Sequence, residues 1–141
     1  MSNLEIFDIQ QKHYEVWIEL YHKYAEYYQV DIPKDNFDLT WKWLTSENYP
    51  FWGILADVDS KIVGFAHFRS LPSPLDSCEV GFLDDLFVLQ EYRGKKIGYL
   101  LIEKVHQIGK SKNWPYINWI TKDDNYSCLL YTSDAADDLW C

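Results

Sequence analysis

The sequence predicts a mixed α/β fold of the α+β kind, a single domain with a mostly antiparallel sheet and helices on both faces. Three observations lead there. A chain of 141 residues is long enough to bury about two thirds of the surface its unfolded form exposes, so one core suffices. Three β-rich runs follow one another in the middle of the chain, as in an antiparallel meander. A strand, helix and strand then follow in order, and such a crossover brings its two strands parallel.

Leu4–Ile9 alternates apolar and polar residues, as a half-buried strand does, and His13–Tyr28 places Trp17, Leu20, Tyr21, Tyr24 and Tyr28 at helical spacing. Beyond Pro33 a shorter helix is expected, with Asp35 or Asn36 as its N-cap and Phe37, Trp41 and Leu44 on one face. Phe51–Ala56 and Lys61–Phe68 read as a hairpin around Asp57-Val58-Asp59-Ser60, whose short polar side chains bond their own backbone. Leu71–Ser77 holds Pro72 and Pro74 and reads as a loop, and Glu79–Leu89 as the third strand. Ile97, Leu100, Leu101, Val105 and Ile108 repeat at helical spacing, with Gly109 and Asn113 as stop signals before the strand Tyr116–Ile120. There is no internal repeat and no linker, so no second domain is expected.

Composition narrows the function classes. The net charge of −9 disfavours nucleic acid, whose binding needs clustered Lys and Arg, and suits a cationic acceptor such as an amine. No run reaches the roughly twenty apolar residues of a membrane span, and the first residues carry no export signal, so a cytoplasmic address and no membrane partner are expected. Cys78, Cys128 and Cys141 lack C-x-x-C spacing and are odd in number, which speaks against a disulfide framework and against a metal site.

The chemistry concentrates after Leu89. A polar turn holding Arg93, Gly94, Lys95, Lys96 and Gly98 leads straight into a helix. Free N–H groups at a helix start, the positive end of its dipole, permissive glycines and three cations together suit a phosphate or pyrophosphate. The same turn also reads as a basic left-handed turn before an ordinary amphipathic helix, and its own residues do not choose.

The flanking residues do. Leu83-Asp84-Asp85-Leu86-Phe87-Val88, followed by Tyr92-Arg93-Gly94-Lys95-Lys96-Ile97-Gly98-Tyr99-Leu100-Leu101-Ile102, resembles the signature strand and R-G-x-G-x-G pyrophosphate loop of the GNAT superfamily of N-acetyltransferases. Within it the strand is most similar to diamine acetyltransferases and to histone and polyamine acetyltransferase-like proteins. Trp119–Tyr126 resembles the end of the next strand and the start of the following helix, which puts Asn125 at that helix start.

The resemblance implies acetyl-CoA as donor and a primary amine as acceptor: a polyamine, a diamine, an amino acid or a lysine-containing substrate. The backbone of Leu86, Phe87 and Val88 would pair with the pantetheine arm, and the amides of Arg93, Gly94, Lys95, Lys96, Ile97, Gly98 and Tyr99 would hold the pyrophosphate, with Asn125 also on the cofactor. Lys96 replaces the usual middle glycine; it is expected to hold a right-handed backbone, its cation strengthening the phosphate site or its Cβ crowding it. Asp84 matches the family's acidic position and is the first candidate for binding the acceptor or removing its proton, with Asp85 next. In an even strand the two acids face opposite ways, and a bulge would re-aim one. The plain alternative is a pair of solvated acids at a sheet end. His67 reads as a satisfied structural histidine. Trp41, Trp43, Tyr49 and Phe51 are core residues first and acceptor-site aromatics second. An acyl-CoA-binding module without turnover, or an inactive fragment, is the alternative to an enzyme.

Downstream the pattern breaks. The family's general-acid tyrosine would fall at Thr132, while Tyr131 lies one residue early, about 100° around a helix. The run Cys128-Leu129-Leu130-Tyr131-Thr132-Ser133-Asp134-Ala135-Ala136-Asp137 resembles an in-frame translation of a sequencing adapter. The expected acetyltransferase domain is therefore 1–127, incomplete at its C-terminus, with 128–141 as a foreign tail. Its loss removes Asp134, Asp137 and Asp138 and no cation, so the acidity survives. The missing final strands would leave a sheet edge open. Many relatives pair through those strands, so a homodimer is a possible expectation.

Overall fold

The computed structural model describes residues 3–120 and the strand Asn125–Leu129. In chain order come β1 (Leu4–Asp8), a short 3-10 turn, α1 (Tyr14–Tyr27), α2 (Lys34–Leu44), β2 (Phe51–Val58), β3 (Lys61–Ser73), β4 (Cys78–Val88), a second 3-10 turn, α3 (Ile97–Ser111), β5 (Tyr116–Ile120) and β6 (Asn125–Leu129). The six strands form one sheet in sequence order, antiparallel throughout except for the β4–β5 pair. The predicted meander and crossover are both present.

Side-chain alternation along β3 assigns the faces. Phe65 and His67 point to α1, where they meet Tyr21, while Gly64 and Phe68 point to the other face, near Leu101 of α3 and Trp114. Trp17, Phe65, Phe68, Ile54, Leu55 and Leu101 are fully buried and join the two layers through the sheet. At the β2–β3 turn, Asp59 and Ser60 both have positive φ, as a two-residue type I′ turn requires. The Ser60 amide donates to Asp57 Oδ1 at 2.8 Å, the self-capping expected of that turn.

Three expectations need correction. α2 is capped by Pro33, not by Asp35 or Asn36: the amides of Asn36 and Phe37 donate to the Pro33 carbonyl, and proline at an extended φ of −61° costs nothing there. β3 runs on through Pro72 to Ser73, where a loop was expected, because Pro72 pairs with Glu79 of β4 alone. The Ser70 amide reaches Pro50 on the β2 side, so two residues on the missing N–H of Pro72 faces the side where β2 has already ended. Finally, Asn125 does not begin a helix. Asn125–Leu129 runs back along β5 from Ile120 to Tyr116, so the outer edge of β5, expected to lie open, is paired. A free edge offers a full row of unpaired backbone groups, and a short run containing Tyr and Leu satisfies them as a strand. The substitution at Thr132 and the suspected tail boundary lie outside the described residues, apart from the backbone of Cys128 and Leu129 in β6.

Candidate active site

β4 and β5 are paired only from Gly81 to Leu83, against Ile117 to Trp119. Beyond Leu83 the strands part, and β4 from Leu86 to Val88 lines a cleft. At the same place β4 is irregular. Its partner β3 sets His67 opposite Asp85 and Phe68 opposite Leu83, so Asp84 is an extra residue, a β-bulge. The bulge turns both acids to the α1 face: Asp85 reaches His67, and Asp84 reaches Arg69, two residues further along that same face.

The two carboxylates have different surroundings. Asp85 accepts from Tyr24 Oη at 2.7 Å, from Tyr21 Oη at 3.1 Å and from His67 Nδ1 at 2.8 Å. His67 is fully buried, and its Nε2 lies 2.9 Å from Trp17 Nε1. An indole N–H only donates, so Nε2 must accept and the ring proton sits on Nδ1, which donates to Asp85. His67 is thus the structural histidine expected, a link in a buried chain from Trp17 to Asp85. Burial pushes the Asp85 carboxyl up, but the hydrogen bond from His67, then those from Tyr24 and Tyr21, outweigh it and hold the group below the ordinary value. Burial and the carboxylate beside them raise both phenols well above the ordinary tyrosine value, so they stay protonated donors.

Asp84 is the poorly satisfied member. Arg69 Nε stands 3.2 Å from its Oδ2, but off the hydrogen-bond direction, so this buried oxygen has no aligned donor. Burial raises the Asp84 carboxyl to about 6 against the pull of the Arg69 cation, and the neighbouring Asp85 charge adds to the rise. Two adjacent carboxyls whose environments drive them apart are suited to separate roles, one fixed as an anion and one poised to take a proton.

The cleft beside the open β4 edge has a volume of about 770 Å³ and is lined by Leu86, Phe87, Val88, Arg93, Gly94, Lys96, Ile97, Gly98 and Tyr99, with Tyr27, Tyr28 and Tyr92. The first internal bond of α3 is Leu100 N–H to the Lys96 carbonyl, so the preceding amides Ile97, Gly98 and Tyr99 lie within the first turn, where a helix has no carbonyl to offer them. Lys96, expected to be right-handed, is left-handed at φ 64°, and Gly94 is left-handed at φ 77°. Two left-handed residues in so short a turn bend the backbone into a concave, anion-binding shape. A Cβ added at Gly98 would meet only Val88 Cγ2, at 4.0 Å, so packing does not require glycine there. These features fit a pyrophosphate.

Not every predicted cation faces it. Arg93 Nε donates to the Val88 carbonyl at 2.9 Å and its guanidinium lies 4.1 Å over the Tyr27 ring, so its side chain ties the loop to β4 and α1. Lys95 turns to the Tyr92 ring at 5.4 Å and borders a different cavity, with Leu4, Val58 and Lys61. Asn125 lies on β6, and its side chain is outside the described residues. Trp41 packs against Trp17, Phe51 is buried, and Trp43 stacks on the half-exposed Tyr49 at 5.5 Å. Trp17, Tyr21 and Tyr24 are evident in the sequence only as residues at helical spacing, and nothing local marks Arg69. Two tyrosines on the buried face of one helix were a usable signal, because a buried phenol needs an acceptor.

The family model for the GNAT acetyltransferase family matches residues 17–133, and the chain belongs to that family. It is 29% identical over 130 residues to the D-amino-acid N-acetyltransferase of Saccharomyces cerevisiae, covering 90% of this chain and 81% of that one. Among solved structures it shares its fold with the aminoglycoside N-acetyltransferase AAC(6')-Iy bound to CoA, with a TM-score of 0.75, 22% identity, and 86% and 79% of the two chains covered. It also resembles a ribosomal-protein-alanine N-acetyltransferase from Brucella melitensis, with a TM-score of 0.69, 23% identity, and 83% and 79% covered. The chain is an N-acetyltransferase, and acetyl-CoA is its acetyl donor. Among the described residues no helix is long and apolar enough to cross a membrane.

Proposed function

We propose that this chain acetylates the primary amine of a small molecule, with Asp84 as the group that takes the amine proton. The observation that carries this reading is the bulge at Asp84, which sets a partly buried, poorly satisfied carboxyl where β4 and β5 part. The open backbone edge at Leu86–Val88 would hold the pantetheine arm as an added strand, and the amides from Gly94 to Gly98 would hold the pyrophosphate; the Arg93 amide, expected to join them, donates instead to the Gln90 carbonyl. Acetyl-CoA supplies a thioester carbonyl. The amine nitrogen bonds to the acetyl carbon, the carbon–sulfur bond breaks, the amine proton passes to Asp84, and CoA leaves as the thiolate, which becomes the thiol by taking a proton from solvent as Asp84 gives up its own. Asp85, held as an anion by three donors, keeps the bulge in place and disfavours a second charge on Asp84.

Supporting observations are the family assignment, an acidic chain suited to cationic acceptors, and a relative that is a D-amino-acid N-acetyltransferase. The acceptor class spans polyamines, diamines, amino acids and lysine-like amines. The test is a screen of these acceptors with acetyl-CoA, reading thiol release and acetylated product together. Turnover of at least one amine is expected; stabilisation by acetyl-CoA with no thiol release across the screen would instead indicate a binding module.

The cofactor arm has its own test. Gly98→Ala is expected to leave the unfolding temperature unchanged or higher, since alanine suits a helix better by up to about 1 kcal/mol. It should weaken acetyl-CoA binding about tenfold, a cost of about 1.4 kcal/mol, because the new methyl occupies space that no residue of the chain fills. A thermal melt reads the first part and calorimetric titration the second, and unchanged affinity would remove Gly98 from the site.

A further inference from the structure

We propose that Arg69 reads the carboxylate of an α-amino acid whose amine is held at Asp84, so that the acceptor is a free amino acid and not a simple amine or a polyamine. This rests on the acetyl-transfer reading above and names its substrate class. Arg69 stands on β3 two residues beyond His67, opposite Phe82 of β4 and Phe51 of β2, on the face that carries both acids. Its Nε is 3.2 Å from Asp84 Oδ2, yet its side chain is 49% exposed. Its guanidinium lies 4.9 Å over the Phe82 ring, a cation–π contact that holds it beside β4.

A guanidinium has five N–H donors, and in Arg69 only Nε stands near Asp84, as an ion pair and not as an aligned hydrogen bond. Among the described residues, the two terminal nitrogens donate to no protein oxygen. That leaves a planar, two-pronged edge beside a carboxyl, the geometry that binds a second carboxylate in bidentate fashion. In an α-amino acid the nitrogen and the carboxylate carbon are about 2.5 Å apart, comparable to the spacing between Arg69 and Asp84. The adjacent cation and anion therefore match a zwitterion, ammonium to Asp84 and carboxylate to Arg69. A polyamine meets the same arginine as a like charge, and a monoamine leaves its outer edge unused.

The test compares acceptors that differ by one group. Leucine and phenylalanine, each as both enantiomers, are set beside 3-methylbutylamine and phenethylamine, the same molecules without the carboxylate, and beside spermidine. In the unmodified protein the amino acids are expected to have the higher kcat/KM. Arg69→Gln should cut that preference by roughly 10- to 100-fold, the range for losing a charge-assisted hydrogen bond, and Arg69→Lys should restore only part of it. A purely structural or neutralising role would slow all acceptors alike and leave the ratio unchanged. Equal use of leucine and 3-methylbutylamine, or an unchanged ratio in Arg69→Gln, overturns the proposal while leaving acetyl transfer standing. Failure to acetylate any amine despite acetyl-CoA binding overturns both. Retained stabilisation of Arg69→Gln by acetyl-CoA shows that the variant is folded.

Discussion

Asp84→Asn is expected to lower kcat by roughly 10²- to 10⁴-fold, the usual contribution of a positioned proton acceptor, while acetyl-CoA binds as before. An amide has the shape of the carboxyl and none of its basicity, and the cofactor cleft lies along Leu86–Tyr99, beyond the bulge. The same change should raise stability at neutral pH. Folding lifts the Asp84 carboxyl from 3.8 to about 6, so the folded chain holds this proton more tightly than the unfolded one. Stability then falls as pH rises through that window and stays lower above it. A neutral side chain escapes the loss. Rate and unfolding temperature should therefore move in opposite directions, the mark of a residue kept for function at the expense of stability. Stopped assays and thermal melts on the same preparation check both, and a variant that is slow only because it is less stable would contradict the assignment.

The largest expected effect on folding belongs to Asp85. Asp85→Ala removes the acceptor shared by Tyr21, Tyr24 and His67, leaving three buried or half-buried donors facing a small cavity. Leaving a buried donor without its acceptor costs about 1–3 kcal/mol, a large part of the roughly 5–15 kcal/mol that holds a domain folded. The pH dependence has the opposite sign to that of Asp84. The Asp85 carboxyl is held below its unfolded value of 3.8, so its contribution is present above that value and is lost as pH falls through the lower folded one. Denaturant titration should show the loss at pH 7, and the difference between Asp85→Ala and the unmodified protein should shrink at strongly acidic pH. A difference that stays constant with pH would mean that packing, not the carboxylate, carries the effect.

Much of the scaffold was legible because it obeys local rules. The alternation in Leu4–Ile9, the helical spacing around Trp17 and the polar turn at Asp57–Ser60 each report a preference that the tertiary structure keeps. The misreadings share a cause. Pro72 looks like a strand breaker until β2 is seen to end before it, and Asn125 looks like a helix start until β5 offers it an edge; both depend on which strands have neighbours, which no local pattern records. At Lys96 a right-handed backbone is the local expectation for a side chain in the usual glycine's place, yet the residue is left-handed where the turn enters α3.

At the candidate site, the acids and the glycine-rich turn could be named from sequence, since both lie in one short stretch. The partners of the acids could not. Trp17, Tyr21 and Tyr24 come from a helix some sixty residues away, and His67 and Arg69 from the neighbouring strand. Their relation to Asp84 and Asp85 is set by a single extra residue in β4, a register feature that alternation alone does not reveal.

The most direct test of Asp84 as the proton acceptor is the pH dependence of kcat/KM, referred to the neutral fraction of the amine, between pH 5 and 9. The account predicts a plateau at neutral and alkaline pH and a fall below about 6, where the Asp84 carboxyl becomes protonated. It also predicts that the acid limb disappears in Asp84→Asn along with most of the rate. A profile that stays level down to pH 5, or an acid limb that persists in Asp84→Asn, would contradict it.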